Sequence, residues 1–197
     1  MPLLRITDVG ADARLGLWRM DDDLTAFGPW LAEAAALFKS DSRRREYVCV
    51  RALLSAMLGS SRFVLSHNAD GKPLLSDGQH LSISHTRGYC AVMLSRMSPV
   101  AVDIEYVHDR VARVADRFLR PDETAADNAS LLLHWSAKET VYKLFSADHL
   151  EFADMRVRPF LVQPGGQFDV ENLRQSLTVD VRYEVTDRYV LTYAVRT

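Results

Sequence analysis

Val100-Ala101-Val102-Asp103-Ile104-Glu105 and Trp135-Ser136-Ala137-Lys138-Glu139 hold three carboxylates and a lysine in a pattern suited to a divalent metal and a phosphate. In the first stretch, apolar Val100, Val102 and Ile104 alternate with Ala101, Asp103 and Glu105, which predicts a strand. Side chains two apart on a strand share a face, so Asp103 and Glu105 project together, about 6–7 Å apart. Two adjacent carboxylates pack poorly unless water or a cation neutralises them. The second stretch lies in a run from Ser130 to Phe145 with few turn formers, which predicts a helix with Lys143 one turn beyond Glu139. Oxygen donors without a Cys or His cluster favour Mg²⁺ over zinc.

Taken singly, each piece has an ordinary explanation, a solvated sheet face or an amphipathic helix with a surface ion pair. Together they resemble the signature of the 4′-phosphopantetheinyl transferases of the surfactin-synthetase-activating type, (V/I)-x-(V/I)-D-x-E followed by W-(S/A)-x-K-E. Two upstream stretches resemble the family in the expected order: Gly71-Lys72-Pro73, and Ser82-Ile83-Ser84-His85. The helix start Ser42-Arg43-Arg44-Arg45-Glu46-Tyr47, with Arg51 beyond it, resembles the family's K-R-x-x-E-F-x-x-x-R.

Composition agrees with such an enzyme and excludes other classes. At 197 residues, with 48% hydrophobic and 25% charged content, the chain can bury a real core as one medium domain or two small halves. A net charge of -2 argues against a general nucleic-acid binder. The two cysteines, Cys49 and Cys90, sit in apolar stretches and read as buried thiols of a reducing compartment. The start MPLLRITDVGADAR has no apolar signal region, and no apolar run is long enough to span a bilayer. A cytoplasmic protein is expected, with no nucleic-acid or membrane partner.

Along the chain, residues 1–20 mix strand-like pieces with turns. Leu24–Lys39 reads as an Ala-rich helix broken near Gly28-Pro29, and a longer helix runs from about Ser42 to Leu58, stopped by Gly59. Strands are expected around Phe63–Leu65, Leu81–Ser84, Tyr89–Ser95 and Val100–Tyr106. Helices near Val111–Phe118 and Ser130–Phe145 follow, then strands near Met155–Val157, Leu177–Glu184 and Tyr189–Val195. Helix plus antiparallel sheet, twice, gives an α+β chain. The resemblance implies two similar halves, 1–98 and 99–197, related by a pseudo-twofold, each a small antiparallel sheet with a long helix. It also implies an active site in the cleft between them. Met97-Ser98-Pro99 is the candidate junction.

What the resemblance implies chemically is transfer of phosphopantetheine from coenzyme A to a serine of an apo acyl or peptidyl carrier protein, releasing 3′,5′-ADP. Mg²⁺ would be held by Asp103, Glu105 and Glu139, with Glu139 also activating the serine. Lys138, as a catalytic residue, and Lys143 would contact the phosphates. His85, paired with Ser84, would take the 3′-phosphate, and Lys72 with Pro73 the nucleotide. For the arginines the answers differ. The motif points to Arg43 and Arg51, whereas helical geometry puts Arg44 and Arg51 on one face.

Downstream, Arg110, Arg113, Arg117 and Arg120 recur at helical spacing opposite Val111, Val114, Ala115 and Phe118, a basic stripe able to dock an acidic carrier. A monomer is expected. Competing functions are a Mg²⁺-dependent phosphohydrolase and a non-catalytic carrier-binding module. The first would not need Gly-Lys-Pro and Ser-His, and the intact Asp103, Glu105, Lys138 and Glu139 argue against the second.

Overall fold

In the computed structural model, residues 3–20, 33 and 35–196 are described. The helix expected over Leu24–Lys39 lies largely outside them.

The chain opens with a hairpin, β1 (Leu3–Val9) and β2 (Ala13–Arg19), turned at Gly10. Helix α1 (Asp41–Leu58) follows and ends at Gly59, whose φ of 66° closes it in the left-handed conformation glycine tolerates best. Then come the short pair β3 (Leu65–His67) and β4 (Pro73–Leu75), β5 (His80–Thr86), β6 (Tyr89–Ser95) and β7 (Val100–Tyr106). Helix α2 (Asn128–Leu144) precedes β8 (Met155–Val157), β9 (Gly165–Asn172), β10 (Leu177–Val185) and β11 (Tyr189–Val195).

Besides the β3–β4 pair, the described residues form two larger antiparallel sheets. The first has the order β1-β2-β6-β5 and the second β7-β11-β10-β9-β8. Three apolar clusters set the layers. Leu53, Leu54 and Met57 of α1 pack with Val92 and Leu94 of the first sheet. Leu15, Leu17, Ala91 and Met93 meet Val100, Val102, Ile104 and Leu191 between the sheets. Leu133, Ala137 and Val141 of α2 pack with Val170, Val181 and Val190 of the second. The molecule is thus layered helix, sheet, sheet, helix, a mixed α/β chain with antiparallel sheets, as the sequence predicted. Gly16 lets α1 lie close on β2, since a Cβ there would stand 2.6 Å from the Met57 sulfur.

The two sheets are joined by side chains. β5 and β7 are each edge strands, and the Ser82, Ser84 and Thr86 hydroxyls of β5 accept the N–H groups of Val102 (3.0 Å), Ile104 (3.2 Å) and Tyr106 (3.1 Å). Alternate N–H groups of an edge strand point away from its partner, and alternate side chains of β5 point one way. The S-x-S-x-T spacing therefore matches the unpaired row of β7 and satisfies it.

Three elements depart from expectation. β4 falls where Gly71-Lys72-Pro73 reads as a turn. β9 was not foreseen, because its start, Pro164-Gly165-Gly166, carries turn signals. The helix expected over Val111–Phe118 is a 3₁₀ segment, Asp109–Arg117.

Candidate active site

Asp103 lies on β7 facing α2, and three donors hold its carboxylate. Ser84 of β5 donates at 2.9 Å, Ser136 of α2 at 2.8 Å and the Lys143 ammonium at 2.7 Å. Lys143 also donates to the Val102 carbonyl at 3.1 Å. Behind Ser136, the Thr192 and Thr140 hydroxyls continue the polar seam at 2.8 and 2.7 Å. Helix α2 owes its placement to a capping box, in which Asp127 accepts the Ser130 N–H and Ser130 accepts that of Asp127.

Glu105, next on the same face, accepts the Trp135 indole N–H at 2.9 Å. Burial pushes its carboxyl up to about 7, reinforced by Asp103 and then Glu139, against the Trp135 hydrogen bond and Lys143. Glu139 is also raised, first by burial and then by Asp103, with Lys143 opposing. No hydrogen bond reaches Glu139 from the described residues. The three carboxylates therefore feel one another, and Lys143 is the cation acting on all three.

As placed, no group of three His, Cys, Asp or Glu side chains among the described residues converges to hold a metal ion. The chemistry of the donor set nonetheless fits a hard divalent cation. Three oxygen-donor carboxylates share one counter-charge, and two of them are raised, first by burial and then by the charge of Asp103.

Lys138 requires a correction. The sequence placed its ammonium on the phosphates, but its side chain is fully buried and paired with Glu123 at 2.7 Å. It also donates to the carbonyls of Phe118 (2.7 Å) and Phe152 (3.4 Å). Glu123 is satisfied in turn by the N–H groups of Arg120 and Val157. Successive helix residues point about 100° apart, so Lys138 cannot share the face of Glu139. Ser84 is corrected likewise. Its hydroxyl donates to Asp103 and accepts the Ile104 N–H, so it is engaged inside the seam and not held out to the 3′-phosphate.

The remaining expected contacts are spread over α1, the β3–β4 turn and β5. His85 reaches Glu46 of α1 at 3.7 Å, and Arg43 meets the same carboxylate at 3.4 Å. Arg43 is exposed, whereas Arg44 is held by the Phe38 carbonyl and Asp41. The Arg51 guanidinium lies 3.5 Å over the Tyr47 ring, and burial lowers its pKa. Lys72 follows Gly71 (φ 78°) in a turn braced by the Asn68 side chain, and Pro73 opens β4. No contact joins Arg51, Lys72 or Pro73 to the carboxylates.

The basic stripe is broken. In a 3₁₀ helix Arg110 and Arg113 stack in one row, and Arg117 stands about 120° round. Arg120 lies past its end, bound to Asp122 and the Ala153 carbonyl. Beside Glu139, Arg117, Tyr142, Leu150 and Phe152 line a groove of about 510 Å³. Sequence reasoning assigns no role to Ser136, Thr192, Trp135 or Glu123. Trp135 and Ser136 stood inside a quoted motif, while nothing marked Thr192 or Glu123.

The family model described as the 4′-phosphopantetheinyl transferase superfamily matches residues 99–194. The one described as the 4′-phosphopantetheinyl transferase N-terminal domain matches residues 32–95. No curated protein matches the chain.

Proposed function

Because the chain belongs to the 4′-phosphopantetheinyl transferase superfamily, and so transfers phosphopantetheine onto carrier proteins, we propose that the transfer takes place at the Asp103–Glu105–Glu139 cluster and depends on Mg²⁺. The observation that carries this reading is three mutually repelling carboxylates facing the single ammonium of Lys143. Asp103, Glu105 and Glu139 would hold the cation, which when bound neutralises charge on the coenzyme A pyrophosphate.

The serine oxygen of the carrier forms a bond to the phosphorus that bears pantetheine. The bond from that phosphorus to the bridging oxygen breaks, and 3′,5′-ADP leaves. Glu139 receives the serine proton on a carboxylate oxygen. Its lack of a hydrogen-bond partner among the described residues and its raised pKa suit a proton acceptor. Lys143, already bridging Asp103 and the Val102 carbonyl, offers its charge to the phosphates. His85, Arg43 and Arg51 bind the 3′-phosphate, and Lys72 with Pro73 borders the nucleotide. Carrier docking falls to Arg110 and Arg113, with Arg117 on the groove beside Glu139.

We assign the chain to the surfactin-synthetase-activating type, a monomer with two halves, 1–98 and 99–197, around one pseudo-twofold. Support comes from the order of elements. β2, α1, β5 and β6 run in the same sequence as β7, α2, β10 and β11, and each last strand pairs with both its first strand and the one before it.

Transfer rates of Asp103→Asn, Glu105→Gln and Glu139→Gln at limiting Mg²⁺ test the site. Each is expected to fall on the order of 100-fold with the fold retained. Near-wild-type activity in any one of them would remove that residue from the cluster.

A further inference from the structure

Four of the five residues in Trp135-Ser136-Ala137-Lys138-Glu139 carry polar groups, and each polar group has a distinct address. Ser136 holds Asp103, and Glu139 belongs to the carboxylate cluster itself. Lys138 donates to the backbone carbonyls of Phe118 and Phe152. Those two residues supply the rings that flank Trp135, at 5.4 Å edge-on and 5.1 Å tilted. The caged indole in turn gives its N–H to one oxygen of Glu105. The second oxygen of Glu105 takes no hydrogen bond from the described residues.

We propose that Trp135 is a positioning residue: its indole N–H fixes the Glu105 carboxylate for a divalent cation, and the buried Lys138–Glu123 pair fixes the indole. This rests on the carboxylates holding a cation, as proposed above. An indole suits the task because it is a donor only, with no lone pair to compete as a ligand, and its body packs in an apolar cage. Glu105 lies near the end of β7, and a glutamate has three rotatable bonds to fix. Anchoring one oxygen leaves the other free to coordinate, the arrangement by which outer contacts raise metal affinity.

Mn²⁺ binding to the protein without coenzyme A, followed by electron paramagnetic resonance, tests the proposal. Trp135→Phe keeps the aromatic packing and loses the N–H. It is expected to weaken Mn²⁺ binding about tenfold, with a melting temperature close to wild type. The double variant Trp135→Phe/Glu105→Gln should bind no worse than Glu105→Gln alone, because both changes remove one interaction. In the wild type, the NMR signal of one indole N–H should shift on adding Mg²⁺ and stay fixed in Glu105→Gln, a readout that holds even if the phenylalanine variant folds poorly. Unchanged Mn²⁺ affinity in Trp135→Phe, fully additive losses in the double variant, or no cation-responsive indole would each overturn the positioning role. If the wild type binds no Mn²⁺, the metal cluster falls first and the positioning role with it.

Discussion

Lys138 and Lys143 share a helix but not an environment. Lys138 is sealed against Glu123, and burial lowers its pKa while Glu123 raises it. Lys143 is partly exposed and meets Asp103 at the seam between the sheets. Removing one partner of a buried pair strands the other charge, so Lys138→Ala is expected to cost about 3–5 kcal/mol of stability. Lys143→Ala leaves Asp103 with its two hydroxyl donors and should cost on the order of 1–2 kcal/mol, while transfer is largely lost. Denaturant midpoints and transfer rates of the two variants check the contrast. A Lys138→Ala protein as stable as wild type would contradict the buried-pair account. At this scale the sequence named the residue types of the cluster but not every address. A motif lists neighbours along the chain, whereas burial is decided by which face of α2 each residue occupies. The partner of Lys138, Glu123, lies outside the helix in a turn that no pattern singles out.

Among elements, β7 is the hinge of the architecture. Its one face packs between the sheets and its other face carries Asp103 and Glu105 toward α2. Its free edge is closed by hydroxyls of β5 instead of a further strand. Ser82→Ala removes the acceptor for the buried Val102 N–H and should cost about 1–3 kcal/mol. Since Ser82 does not touch Asp103, the transfer rate of the folded fraction should hold, which denaturation and rate measurements on the same sample decide. A neutral substitution would show that the ladder does not join the sheets. β7 was legible from apolar alternation, and β6, β8 and β11 as short apolar runs between turn residues. β9 was not, because its core-facing Phe168 and Val170 follow a Pro-Gly-Gly start. The 3₁₀ segment escaped because spacings of three and four residues fit an α-helix, while hydrogen bonding along the segment tightened it to a period of three, and the basic stripe dissolved with it.

At the scale of the whole molecule, the layered sheets bring the end of β5, the face of β7 and α2 to one seam. Ser84 turns inward to Asp103 while the next residue, His85, turns outward to α1. That single step in β5 sets a contact to Asp103 and a contact to Glu46 of α1 on neighbouring residues. Among the described residues no helix is long and apolar enough to cross a membrane. We propose that this seam moves phosphopantetheine from coenzyme A to a carrier serine with the help of Mg²⁺. Intact-mass spectrometry of an apo carrier protein, incubated with the protein, coenzyme A and either Mg²⁺ or a chelator, tests it directly. A gain of one phosphopantetheine group with Mg²⁺, absent with chelator and absent for a carrier whose acceptor serine is replaced by alanine, is the expected result. An unmodified carrier in Mg²⁺, across acyl and peptidyl carriers alike, or equal modification with chelator, would contradict it.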